Sequence, residues 1–213
     1  MIRPLLLTRS ALALLAVALL GACTLLPEGQ TRQVYVLPIA SAPAADTAAR
    51  QNWTLRVEAP LVAAALNGDR IAVMPQAHRM SVYEGASWSD RVPDLLRARF
   101  VEAFRRDGRV LAVSDIPGAV PTDYALELDL HAFHSEYAGQ PQPTVVVGFD
   151  ARLVDRDSLR VVANRRFNAR EAVDGVQVPE VVTAFGAATD RVSAELVDWA
   201  VEQGNRARAA QHR

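Results

Sequence analysis

The chain has one cysteine among its 213 residues, and its position limits what the rest can become. Cys23 closes a short uncharged run, Ala11 to Ala22, that follows Arg3 and Arg9. Basic residues ahead of a brief apolar stretch are the n-region and h-region of a secretory leader. Twelve helical residues span ~18 Å against a hydrocarbon core of ~30 Å, so a permanent transmembrane helix fits less well. Leu20-Gly21-Ala22-Cys23 reads as a bacterial lipobox. Leu20 supplies the apolar residue at −3, and Gly21 and Ala22 are small enough to admit a peptidase to the backbone. The Cys23 thiol is the nucleophile that takes a thioether-linked diacylglycerol. We therefore expect cleavage after Ala22, with Leu20, Gly21 and Ala22 as the signal-peptidase recognition residues and Cys23 as the lipidated one. No thiol then remains for a disulfide, and the fold must hold by packing in an oxidising compartment.

Half of the residues are apolar and 22% are charged, enough to bury a core. Removal of Arg3 and Arg9 with the leader takes the net charge from −1 to −3. A nucleic-acid partner is not expected from that balance. All 23 basic residues are Arg, which we attribute to genome composition.

Physical chemistry then places the protein. One acyl chain anchors marginally and two anchor stably, each buried CH₂ contributing ~0.8 kcal/mol. A mature lipoprotein of this kind carries three, a diacylglycerol and an N-acyl (palmitate-type) chain, and no other cofactor is expected. Thr24 follows the cysteine, where an Asp would signal inner-membrane retention, so the expected location is the periplasmic face of the outer membrane.

The expected organisation is a leader at 1–22, a lipidated tether at 23–33, a folded domain at 34–204 and a disordered tail at 205–213. Ten extended residues, Thr24 to Gln33, would reach ~33 Å from the headgroups. Within the domain, Val34–Pro38 is a brief strand and 40–52 an Ala/Pro-rich spacer. Alternation predicts a strand at Trp53–Glu58, and Leu61–Leu66 reads as a helical turn stopped by Asn67-Gly68. Two strands follow, Arg70–Met74 and Arg79–Tyr83, and Tyr83–Asp90 reads as a loop. A helix capped by Ser89 or Asp90 carries Leu96, Phe100 and Phe104 and ends at Gly108. Val110–Val113 is a short strand. Tyr124–His131 alternates strictly, and Phe133 breaks the alternation, predicting a bulge near Ala132. Val145, Val147, Phe149, Ala151 and Leu153 line one face of the next strand. Asp155–Ser158 turns it into a third, Leu159–Arg170. Pro179 opens a final helix with Val181, Phe185, Ala188, Val192, Leu196 and Trp199 on one stripe, ended by Gly204. The fold class is α+β: a mainly antiparallel sheet with two principal helices packed on one face, in a single compact domain.

Reactive constellations are sparse. His131, His134 and Glu136 suggest a metal, yet strand residues three apart point to opposite faces unless the bulge gathers them, so no metal site is assigned. Ser87 and Ser89 near Gly85 lack the second glycine of a nucleophile elbow. Asp155 and Asp157 read as a turn before a catalytic pair. Arg105-Arg106 and Arg165-Arg166 suit phosphates but read better as solvated faces. No glycine loop cradles a nucleotide, and no catalytic residue is assigned. Tyr83 and Trp88 are candidate interface anchors, with the alternative that Trp88 plugs the core beneath the helix.

Taken together, these residues resemble the ABC-type transport auxiliary lipoproteins, the PqiC-like group that accompanies mammalian-cell-entry (MCE) lipid transporters. The resemblance is carried by the lipobox at Cys23, Tyr35-Val36-Leu37, Leu55-Arg56-Val57, Gly68-Asp69-Arg70-Ile71-Ala72-Val73 and Tyr83-Glu84-Gly85-Ala86-Ser87-Trp88-Ser89-Asp90 with Leu95-Leu96. Phe185-Gly186-Ala187-Ala188 and Glu195-Leu196-Val197-Asp198-Trp199 complete it. The resemblance implies a non-enzymatic periplasmic component of a lipid-transport system, working with an inner-membrane permease, its ATPase and a periplasm-spanning MCE-domain protein that it docks or receives. It leaves open whether copies form a homo-oligomeric ring. The alternative is a structural or assembly lipoprotein of the envelope or a secretion system that handles no lipid.

Overall fold

The spine of the fold is β7, Tyr124–Glu136, in a computed structural model that describes residues 32–39, 50–116, 118 and 121–211. The recognition residues Leu20, Gly21 and Ala22, the lipidation residue Cys23, and most of the tether and spacer lie outside the described residues. Tyr124, Leu126, Leu128 and Leu130 alternate inward and are buried, as a strand with period two requires. Leu130 pairs with Phe149 but Ala132 pairs with Gly148, so His131 is an extra residue. This is the expected bulge. It hands the inward position to Phe133, which is buried.

Eight further strands complete an open sheet. One edge of β7 takes β8, Thr144–Asp155, along its whole length, and β8 takes β9, Val161–Ala172, both antiparallel. The other edge of β7 is shared by three short segments in chain order. These are β2 (Thr54–Val57), β3 (Leu61–Val62) and the end of β4 (Arg70–Gln76), all parallel to it. The strand β4 turns at His78 into antiparallel β5, Arg79–Trp88, whose far edge carries β1, Gln33–Tyr35. Three-residue β6, Ala112–Ser114, flanks β2. The long ladders are thus antiparallel, as expected, and the short ones mostly parallel.

Two helices cover one face. In α1, Val92–Asp107, Leu96, Phe100 and Phe104 are buried, and Gly108 ends the helix at φ 73° with its N–H on the Phe104 carbonyl. Neither Ser89 nor Asp90 caps it: the N-cap is Arg91 without a side-chain bond, and the Val92 N–H donates to the Gly68 carbonyl at 2.9 Å. In α2, Val178–Gln211, the predicted stripe from Val181 to Trp199 is buried throughout. Between helices and sheet runs a chain of rings: Trp88, Phe133 and Phe185 meet at centroid distances of 4.7–5.8 Å, and Phe100, Phe149, Phe167 and Trp199 at 5.2–5.6 Å.

Three local expectations change. Leu61–Leu66 is not one helical turn but β3 followed by a 3₁₀ turn at Ala64–Leu66, because Leu61 and Val62 find partners in Asp129 and Leu130. Tyr83–Trp88 is strand, not loop. Arg70 pairs with Ser87 while Ala72 pairs with Val82, so β5 carries a wide bulge over 83–86, with Gly85 at φ 67° inside it. Beyond the bulge, β1 extends the strand by pairing with Ala86–Trp88. Finally, α2 does not stop at Gly204, and 205–211 is helical rather than a tail. Trp53 lies flat against Gly204 and donates from Nε1 to Asn205 Oδ1 at 2.8 Å, while Arg208 pairs with Asp123 at 3.0 Å.

Candidate interaction surfaces

The polar residues singled out by sequence are held in structural roles. His131 shares a hydrogen bond with Asn168 Oδ1 on β9 at 3.1 Å, while buried His134 turns to Glu136 at 3.6 Å. Burial pushes the His134 imidazole below its ordinary value, against the pull of Glu136. Arg170, bonded to Glu136 at 2.5 Å, holds that carboxyl below the usual range. Among the described residues, no three His, Cys, Asp or Glu side chains converge as metal ligands.

Asp155 Oδ1 accepts from the N–H groups of Asp157 and Ser158 and from Ser158 Oγ, at 2.8–3.2 Å. That is a side-chain-built turn, and it leaves Leu159 at φ 55°. Ser87 is buried beside the β5 bulge. The arginine pairs face solvent with acidic partners. Arg166 holds Asp150 by two bonds of 2.7 Å, Arg106 holds Glu102 at 2.7 Å, and Arg165 lies 4.9 Å over the Phe167 ring. On the sheet face that carries Asp150 and Arg166, away from the helices, Arg152 likewise pairs with Asp129 at 2.6 Å.

The two proposed interface anchors separate. Trp88 is 2% exposed, with its indole edge-on to Phe185 of α2 and tilted against Phe133. It plugs the core and presents no surface, which corrects the interface expectation for that residue. Tyr83 is half-buried, its hydroxyl sharing a 2.9 Å hydrogen bond with Ser135 Oγ and pushed up to about 12 by burial.

The surface that sequence reasoning missed lies at β1. Tyr35 and Leu37 turn inward, so Val34 and Val36 turn outward and stand 63% and 71% exposed, with Ile39 at 46%. Beside them a groove of about 220 Å³ runs along α1. Val36, Leu37, Ile39, Leu95 and Ala98 give it an apolar lining, and Asp90, Asp94 and Glu102 stand at it as acids. Arg99 borders it too, but its guanidinium is buried and ion-paired with Asp190 of α2. The signal was present in the alternation of Val34–Leu37. Which of the two faces is bare depends on β1 lying at the sheet's edge, and that pairing joins residues more than fifty positions apart.

One family model and three known proteins resemble this chain. The model of a family described as the ABC-type transport auxiliary lipoprotein component matches residues 35–197. The crystal structure of protein XCC0632 from Xanthomonas campestris, a DUF330 protein, superposes with a TM-score of 0.77 at 30% identity, covering 83% of this chain and 99% of that one. A second crystal structure, of an uncharacterized protein, shares the fold with a TM-score of 0.63 at 19% identity over 79% of this chain and 97% of that one. An uncharacterized protein of Bradyrhizobium diazoefficiens, bll6063, is 31% identical over 151 residues, 70% of this chain. The chain spans 39% of the length of that relative.

Proposed function

We propose, from the premise that this chain belongs to the ABC-type transport auxiliary lipoprotein family, that it is a tethered docking component of a lipid transporter of the MCE type. Cys23 carries the acyl chains, the residues between it and Arg32 form the leash, and the folded unit from Arg32 onward meets the periplasm-spanning partner at the outer membrane. Among the described residues no helix is long and apolar enough to cross a membrane, and the acylated cysteine supplies the attachment in this reading. The role is non-enzymatic: the family is an auxiliary one, and the candidate nucleophiles and carboxylates serve turns, bulges and ion pairs.

The observation that carries the reading is the family match, which runs through nearly the whole folded unit rather than one motif. Co-purification from detergent-solubilised envelopes tests it. Capture of the MCE-domain protein, together with permease and ATPase, is the expected result. Capture of secretion or surface-assembly components instead overturns it. Anchoring is tested separately by radiolabelled palmitate: incorporation into the native protein and none into Cys23→Ser is expected, and equal fractionation of both without label removes the anchor.

A further inference from the structure

We propose that the open edge of β1, with the groove between it and α1, takes up an extended segment of the transporter partner as an added strand. The segment would set apolar side chains over Val34 and Val36 and a basic side chain at Asp90. The inference rests on the docking reading above and names the surface that performs it.

Pairing comes first. The strand β1 bonds to β5 through Gln33↔Ala86, Val34↔Ser87 and Tyr35↔Trp88, and among the described residues no strand lies on its other side. Exposed edges are normally guarded by charge, proline or a covering element. The opposite edge obeys that rule, since β9 presents Asn164, Arg166, Asn168 and Arg170 to solvent. Val34, outward on β1, and Val36, just past its end, are instead apolar and mostly bare. Strand addition uses this combination: main-chain groups for affinity and alternate side chains for selection.

Size and charge narrow the occupant. At about 220 Å³ the groove is smaller than the ~300–1,000 Å³ typical of small-molecule sites, so it suits a side chain rather than a free ligand. Asp94 and Glu102 are engaged by Arg97 and Arg106 of their own helix, and Arg99 is turned inward to Asp190. Asp90 is exposed and has no partner among the described residues. The rim therefore offers acid to a cation. The same acid repels anionic phosphate, which counts against a lipid surface as occupant.

The test uses the full-length lipoprotein in detergent micelles and the purified periplasmic portion of an MCE-domain protein from the same organism. Val34→Glu with Val36→Glu should weaken capture about tenfold or more, by clash and buried charge. Asp90→Arg should weaken it and blunt its salt dependence, while Met80→Glu, exposed on the β4–β5 hairpin, should change nothing. Unaltered melting of each variant keeps the comparison on binding. If the native protein binds and the valine variant binds equally, the site is overturned and the docking reading survives. If the native protein does not bind, the reading falls and the site with it. If the valine variant instead halves the particle mass in light scattering and leaves capture intact, the edge pairs a second copy and the proposal is overturned.

Discussion

Trp53 and Gly204 touch so closely that a methyl group on the glycine would stand 2.6 Å from an indole carbon. The contact joins the residue just before β2 to the last turns of α2, and Trp53 Nε1 locks it by donating to Asn205. This glycine is needed for approach, not for helix termination. Gly204→Ala should lower stability by about 1–3 kcal/mol through overpacking, despite the better helix propensity of alanine. Urea unfolding measures it; a neutral or stabilising result removes the close-approach account.

Arg99 ties α1 to α2 through Asp190 beneath the β1 groove. Burial lowers its pKa, a sign that the guanidinium has lost water. Arg99→Ala strips a buried pair of one member and should cost about 3 kcal/mol. Arg99→Met fills the same space without charge and should cost measurably less. Equal losses in urea melts would show that the stranded Asp190 carboxylate, common to both variants, and not packing, sets the penalty.

Leu159 sits at φ 55° and is 73% exposed, so it contributes strain and little burial. A left-handed backbone costs a branched side chain about 1–2 kcal/mol, which asparagine largely avoids. Leu159→Asn should raise stability by roughly 1 kcal/mol. A lowered denaturation midpoint would mean that the leucine makes contacts that its exposure does not suggest.

The acid side of the stability profile should carry the signature of His134. Its folded pKa lies below the ordinary value of about 6.5, so the unfolded chain binds the extra proton first. Its contribution is full above that ordinary value and is lost as the pH falls through the folded one. Glu136, also lowered, acts in the same direction at lower pH. Native protein should thus lose stability from pH 7.5 to 5.5, and His134→Gln should flatten that limb. Identical slopes would assign the fall to other groups.

Much of the architecture was legible because its signals are local. The strict alternation from Tyr124 to Leu130, its break before Phe133 and the six-residue stripe from Val181 to Trp199 each report one face of one element. Trp88 was ambiguous for a different reason. The glycine at 85 and the flanking polar residues imitate a loop, and the segment is a strand through remote partners, Gln33–Tyr35 on one edge and Arg70 on the other. Gly204 misled in the same way: a glycine near a helix end resembles a stop until the indole that needs the space is known. The bare valines at 34 and 36 depend on which strand lies at the sheet's border, a property of topology that no window of the chain contains.

The shared edge of β7 has a kinetic consequence. Leu55 pairs with Tyr124 and Val73 with Ser135, so each of these partners follows by roughly sixty to seventy residues. A chain threading out of a ribosome or a translocon amino end first delivers β2, β3 and β4 long before the strand that seats them. Contacts of that sequence separation form slowly and leave apolar segments uncovered meanwhile. The β7-facing edges of β2, β3 and β4 therefore stay open until that strand arrives, and its arrival sets how long a holding chaperone must cover them.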